Sequence, residues 1–425
     1  MITEGSASPT VNVLEGAAVV EPQLAGKRAG MVVFSPYPAD PRPRRAAEAL
    51  VRVGMHVDLI CESDQRLPRR ERKGKLEIFR LPIKHERGSK LHYAYQYGAF
   101  ILMSAGRLAA RMLKHRYDLI YVHNMPDILV YCALLPKMLG AKIILDQHDP
   151  MPELMNTIFN LPEDGGAVRL MRWLEKRSIG FADRVITVNL ACKKIFAARS
   201  CGEEKVSVVM NAPDGDIFPY CAACSYGVRD GRSTKPFVIM YHGSLVERNG
   251  LELAVDALSL LRDSLPNAEL RIYGRGTQYL EQVQQKAARL GIAERVHYLG
   301  PKRLEDLVGE IEACDVGVIP NQRNSFTEIN TPTRIFEYLA LGKPVIAPRT
   351  AGIQDYFSPQ ELLYFDAGNA EQLAEQIRYV YGNPKEALDT TERGQQVYLA
   401  HTWQRERGVL VMLVSNLVNG KDNRG

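Results

Sequence analysis

Short apolar runs of β-prone residues alternate with helical stretches along this chain, and the alternation breaks once and restarts. Before the break, Met31–Phe34, Val57–Cys61, Leu76–Leu81, Leu119–His123, Ile143–Asp146, Arg184–Val188 and Val206–Met210 read as strands, with helices over 42–53, 90–115, 127–139, 168–180 and 190–199. After it come strands at Phe237–Tyr241, Leu270–Tyr273, Val296–Leu299, Val316–Ile319, Val345–Ala347 and Leu362–Phe365, with helices near 250–263, 277–290, 304–312, 334–341 and 370–381. This rhythm is that of a parallel sheet covered by helices on both faces. The break, 211–235, carries Pro213, Gly215, Pro219, Gly227 and Gly231 and reads as a linker. The expectation is an α/β chain of two similar doubly wound domains, 29–212 and 213–402, with a further amphipathic helix over 403–419. Residues 1–28 lack periodicity and read as a disordered tail. Ligands of such sheets sit beyond the carboxyl ends of the strands, so a cleft between two facing edges is the expected site.

Composition narrows the class. A chain of 425 residues is too long for one ordinary core. No apolar run approaches the ~20 residues of a membrane span, and Glu4 opens no secretory signal. Seven scattered cysteines point to the reduced cytosol. Cys221 and Cys224 have a metal-like spacing but no second pair of ligands nearby. Charge is uneven: residues 1–215 hold 31 basic and 23 acidic residues (+8), and the remainder is −3. The first half is therefore expected to face an anionic partner, with no nucleic acid involved. Arg66–Arg87 reads as a solvated basic face. Beside it, Lys90–Phe100 carries Tyr93, Tyr95, Tyr97 and Phe100, which suits either an anionic membrane interface or a helix packed on its own sheet.

The densest chemistry lies in 330–348. Thr331 can cap a helix whose first position is Pro332; Arg334, Glu337 and Leu341 share one face, and Gly342 ends the helix. A helix N-terminus suits a diphosphate. Glu337 would repel that phosphate and is better suited to a neutral diol such as a ribose. The competing reading is a capped surface helix. Tyr241 to Gly250 follows a strand and opens a helix, where backbone N–H groups and Arg248 can hold a phosphate. Gly274-Arg275-Gly276 occupies a similar place, although neither loop is a three-glycine dinucleotide fingerprint. Asp146-Gln147-His148-Asp149 ends a first-half strand, where His148 can bond a sugar hydroxyl or move a proton, or simply be tied to backbone. Asp40, Arg42, Arg44 and Arg45 either line the cleft or lie on the surface.

These segments, in this order, resemble the family 4 glycosyltransferases, which are retaining, nucleotide-sugar-dependent enzymes of GT-B fold. Asp40-Pro41-Arg42, Asp146–Asp149, the Gly243–Gly250 loop, Gly274–Gly276, Val296–Gly300 and Thr331–Pro348 carry the likeness over about 29–419, most specifically at Phe336-Glu337-Tyr338 and Gly342-Lys343-Pro344-Val345. The resemblance implies two Rossmann-like domains across a cleft, the donor mainly on the second, and a last helix crossing back to the first. It implies that Glu337 holds the ribose, and that Arg334, Arg248 and the N–H groups near Thr331 and Thr333 hold the diphosphate. Gly243, Ser244, Gly274, Arg275, Glu328 and Asn330 would complete the donor site, with His148 and Asp149 by the transferred sugar. It implies no metal requirement and no cofactor beyond the nucleotide-sugar donor. Two departures stand out. The family's first glutamate, eight positions before Glu337, is replaced by Ile329, with Glu328 one residue out; and two places often basic in the Gly243 loop hold Ser244 and Asn249. The expected function is transfer of a sugar to a glycan or lipid-linked acceptor in bacterial surface polysaccharide assembly, by a cytoplasmic enzyme peripheral to the inner membrane face. Rivals are a nucleotide-sugar epimerase and a non-catalytic nucleotide-sugar binder.

Overall fold

The computed structural model describes residues 24–64, 66–83, 90–223 and 235–420. The first half is an eight-stranded sheet of β1 (Arg28–Val32), β2 (His56–Glu62), β3 (Arg70–Lys73), β4 (Leu76–Leu81), β5 (Leu119–His123), β6 (Lys142–Gln147), β7 (Arg184–Thr187) and β8 (Val206–Val208). Their order is β3-β4-β2-β1-β5-β6-β7-β8. All pair parallel except β3, which forms a hairpin with β4. The second half holds β9 (Phe237–His242), β10 (Ala268–Tyr273), β11 (Val296–Tyr298), β12 (Val316–Val318), β13 (Val345–Pro348) and β14 (Leu363–Phe365). Their order is β11-β10-β9-β12-β13-β14, all parallel. Strand order reverses between β1 and β5 in one half and between β9 and β12 in the other. Those two switch points open crevices at the carboxyl ends of the strands.

Each sheet buries apolar side chains on both faces, as continuous apolar strands require. In the first half, Lys90–Met112, the 3₁₀ segment Asp127–Ala133, Gly166–Phe181 and Leu190–Arg199 cover one face, packing on Val32, Ile60, Ile120 and Ile143. Pro41–Arg52 covers the other together with the final helix, Trp403–Val418, whose Leu410, Val411, Val414 and Leu417 are buried there. The chain thus returns to its first half. Glu406 fastens the return by accepting the Met210 N–H at 2.8 Å, and Arg45 lies 4.9 Å over the Trp403 ring. The halves also touch across the cleft: Asn189 Nδ2 donates to Ile329 O at 2.8 Å, and Thr157 Oγ1 to Asn324 Oδ1 at 3.1 Å.

Several sequence expectations need correction. Residues 1–23 lie outside the described residues, but the rest of the expected tail is folded: Leu24 is buried, its N–H reaches Val53 O at 2.7 Å, and β1 begins at Arg28. The basic stretch 66–87 is not simply a solvated face. It contains the β3–β4 hairpin, in which Arg80 is buried and donates to Glu71, Pro68 O and Tyr37 O; residues 84–87 lie outside the description. In the 90–100 stretch, Phe100 stacks on Phe34 at 4.4 Å and Tyr97 meets it edge-on, while Tyr95 is exposed. That helix therefore packs on its own sheet; the side chains of residues 90, 91 and 93 lie outside the description. Helices Met151–Phe159 and Pro384–Ala400 had no sequence reading. Cys224 and the rest of linker residues 224–234 lie outside the described residues. Cys221 is a backbone tether, its N–H donating to Ala340 O at 2.8 Å.

Candidate active cleft

The second-half crevice is built from the loops after β9 and β12 and the helix Thr333–Ala340. The two glycine loops fit backbone to backbone: a Cβ on Gly274 would run into Gly243 O. Gly250 sits at φ +64° against Pro320 O, where only glycine fits without strain. Arg334 spans the switch point. Its Nη1 donates to His242 O at 2.9 Å and its Nη2 to Asn321 Oδ1 at 3.3 Å, and the guanidinium lies 4.6 Å over the Tyr241 ring. One helical turn on, Glu337 is bound through Oε2 to His242 Nε2 at 2.6 Å. His242 Nδ1 lies 3.0 Å from the Tyr338 hydroxyl, which also reaches Met240 O at 2.9 Å. An imidazolium satisfies all three contacts at once. A neutral ring with its proton on Nε2 keeps the Glu337 bond, and the Tyr338 hydrogen then chooses between His242 and Met240 O.

Thr331 does not cap this helix. Its hydroxyl donates to Gly352 O at 2.6 Å, Pro332 takes the capping position, and no side chain caps the first turn. The Ile335 N–H turns back to Pro332 O at 3.1 Å, and the Thr333 and Arg334 N–H groups at the helix start are left for a ligand. Arg248 turns its guanidinium over the Phe326 ring at 5.8 Å, and its carbonyl accepts the Gln322 N–H at 3.1 Å. Ser244 and Arg275 are exposed at the crevice loops, and Asn249 Nδ2 braces Ser244 O at 2.8 Å. Glu328 is already occupied: Oε2 pairs with Arg323 at 2.9 Å and Oε1 accepts the Ala351 N–H at 3.1 Å. Ile329 and Asn330 present their carbonyls to Gly352, where a Cβ would not fit.

In the first half, His148 follows β6 and is half-buried, its N–H donating to Asn124 Oδ1 at 3.2 Å. Its Nδ1 is buried without a hydrogen-bond partner among the described residues. Burial lowers the pKa of His148, with Asp149 and Asp146 opposing, so the ring favours its neutral form. Asp149 is half-buried beside it, its carbonyl accepting Asn124 Nδ2 at 2.7 Å. Asp146 does not face the cleft as a free carboxylate. It is buried, takes Arg42 Nη2 at 2.6 Å and the Tyr121 hydroxyl at 2.8 Å, and Arg42 holds it well below the usual carboxylate range against the penalty of burial. Arg42 and Arg45 are likewise not cleft-lining: Arg42 also donates to Val209 O at 3.0 Å, and Arg45 to Ala212 O. Burial and Arg42 lower Arg45 to about 10.

Sequence reasoning missed two histidines. His242 ends β9 and His123 ends β5, each at a switch point; their position was the available signal. His123, Asp146 and His148 bring ligand-type atoms within 4.8 Å of one another. Both Asp146 oxygens already accept from Arg42 Nε at 3.0 Å, so the set fits a metal poorly.

Two family models cover the chain between them: Glycosyltransferase Family 4 over residues 44–217 and Glycosyl transferases group 1 over 228–397. The chain belongs to the family 4 glycosyltransferases, of group 1 type. A D-inositol 3-phosphate glycosyltransferase of Corynebacterium urealyticum is 22% identical over 58% of this chain and 59% of that protein. A GDP-mannose-dependent alpha-(1-6)-phosphatidylinositol monomannoside mannosyltransferase of Mycolicibacterium smegmatis is 27% identical over 46% of this chain and 50% of that one. The chain thus spans about half the length of these curated relatives. Sucrose-phosphate synthase of Thermosynechococcus elongatus shares the fold at TM-score 0.75 and 18% identity, covering 93% of this chain and 100% of that one. HepE of Anabaena, solved in complex with UDP, matches at TM-score 0.67 and 16% identity over 92% and 100%. The two-domain GT-B architecture is therefore common to all three structures.

Proposed function

We propose that this chain is a retaining glycosyltransferase that moves a sugar from a nucleoside diphosphate sugar to a glycan or lipid-linked acceptor in bacterial surface polysaccharide assembly. One observation carries the reading. At the second-half switch point an uncapped helix N-terminus, Arg334 and Glu337 stand together, a cation and open N–H groups for a diphosphate beside a carboxylate for a diol. Such preorganised donors favour the charge that develops on a leaving diphosphate. Neutral His148 and Asp149 serve the transferred sugar from the first half. The solved complexes of Anabaena HepE with UDP and UDP-glucose support a nucleotide-sugar donor here. No metal is required in this scheme, because the cationic work falls to Arg334 and Arg248.

The test is a panel of UDP, GDP and TDP sugars read by thermal shift, followed by transfer assays with and without chelator. Stabilisation by one nucleotide series and chelator-resistant transfer are the expected results. Absence of stabilisation throughout, or activity lost to EDTA and restored by magnesium or manganese, would sink the corresponding part.

We also propose that the enzyme works in the cytoplasm at the membrane surface. No helix among the described residues is long and apolar enough to cross a membrane. The outer helical layer of the first half nevertheless exposes Tyr95, Leu102, Leu134, Met138, Leu139 and Trp173. The helices bearing them contain one carboxylate, Glu175, and it is buried. Apolar side chains among arginines and lysines, with no exposed acid on these helices, match an anionic lipid surface.

A further inference from the structure

A second basic cavity lies at the opposite end of the first sheet from the cleft. Arg28 opens β1, His56 opens β2, Lys75 immediately precedes β4, and Arg72 lies on β3. With Arg70, Arg111, Lys114 and His115 they enclose a cavity of about 180 Å³ at the amino ends of the parallel strands. At about 3.3 Å per residue, the length of β1 and β2 puts it roughly 15–20 Å from the switch-point crevice.

The carboxylates there are already used. Asp58 accepts Arg111 Nε at 2.9 Å and the Tyr117 hydroxyl at 2.6 Å. Glu77 accepts Arg111 Nη2 at 2.7 Å and Arg70 Nε at 2.6 Å. Nearby, Glu71 pairs with Lys73 and Arg80, and Asp118 with Lys27. Asp118 also accepts the Arg28 backbone N–H at 2.8 Å, which leaves the side chains of Arg28, Arg72, Lys75 and Lys114 with no carboxylate partner among the described residues. Lys75 reaches only Gly54 O, at 3.0 Å. His56 registers the resulting field: after burial, Arg28, Lys75 and Arg72 are what lower its pKa. Charged residues on β3 alone would be explained as protection of an edge strand. Arg28, Lys114 and His115 come from other elements and have no edge to protect, yet they converge on the same cavity.

We propose that this cavity is a binding site for a phosphate-bearing anion, separate from the donor crevice. A phosphomonoester or diphosphate supplies the negative charge that four converging cations lack, and forked guanidinium donors suit its oxygens. The same chemistry is offered by a lipid headgroup and by a soluble phosphate.

Imidazole NMR of His56 and His115 in the full chain reads the site locally, so ligand bound in the donor crevice does not confuse it. Titration with inorganic pyrophosphate at low salt should shift both rings and raise the His56 titration midpoint, and added salt should weaken the effect. The double variant Arg72→Gln/Lys114→Gln, on exposed positions, should keep the fold and lose affinity about tenfold or more. Co-sedimentation with phosphatidic acid vesicles against phosphatidylcholine vesicles forms the second arm. A loss of vesicle binding in the double variant identifies a headgroup; a pyrophosphate response alone identifies a soluble ligand. If neither probe engages the site, or the double variant responds to both as the wild type does, the proposal is overturned.

Discussion

Replacing Glu337 separates the two roles assigned to one helix. Oε2 of Glu337 is committed to His242 at 2.6 Å, so Oε1 is the acceptor left for a ribose hydroxyl. One charge-assisted hydrogen bond contributes about 1.5–3 kcal/mol, or roughly 10- to 150-fold in Kd. Glu337→Ala should weaken the nucleoside, monophosphate and diphosphate by similar factors in that range. It also strands His242 Nε2, which is buried, at a folding cost of about 1–3 kcal/mol. Glu337→Gln keeps an acceptor in place and should lose less affinity than the alanine variant. Arg334→Ala should behave differently, sparing the nucleoside and weakening only phosphate-bearing ligands, with a loss that shrinks as salt rises. Isothermal titration with the three ligands, on variants whose folding is checked by circular dichroism, gives the comparison. The reasoning is refuted if folded Glu337→Ala binds all three normally, or if Arg334→Ala weakens the nucleoside as much as the diphosphate.

His148→Ala should lower turnover while nucleoside diphosphate affinity, measured by titration, stays within about twofold; equal losses would make His148 part of the nucleotide site or the fold. His242→Ala should weaken nucleoside binding through Glu337 and leave the salt dependence of diphosphate binding unchanged, which the same titrations check. Asp127 is buried without a full set of partners, and burial with Glu175 nearby pushes its carboxyl up to about 7. The folded chain then holds a proton that the unfolded chain releases near pH 4, so stability should fall as pH rises from about 4 to about 7. Asp127→Asn should flatten that slope in denaturant unfolding, and identical slopes for the two proteins would refute the assignment. Binding to anionic vesicles should fall with ionic strength and with Trp173→Ala or Met138→Glu, read by co-sedimentation; no binding at low salt would remove the membrane reading.

What the sequence reveals here follows from how far apart the interacting groups lie. The alternation of apolar runs and helices is local, so two parallel α/β sheets could be read from it, whereas the strand order that sets their switch points could not. Arg334 and Glu337 are one turn apart, and helical spacing alone places them on a common face. Thr331 has the residue type of a cap, but Gly352 O lies close enough to take its hydroxyl, and the tertiary contact overrides the local preference. His242 sits at the end of an apolar strand and acquires its role only from Glu337, 95 positions later. Arg42 looks like a cleft cation until Asp146, 104 positions away, claims it. The strand Arg70–Lys73 has no apolar alternation at all; it forms because β4 offers an unpaired edge and Glu77 pairs with Arg70 across the hairpin. Pro384–Ala400 was hidden by Gly394, a poor helix residue kept because a Cβ there would meet Glu361 O. A charged or polar side chain in this chain therefore announces the kind of chemistry it can do, while its partner, and so its function, is decided by strand order. That is why both histidines missed in the sequence stand at the ends of strands flanking the two order reversals, the places where the fold leaves room for a ligand.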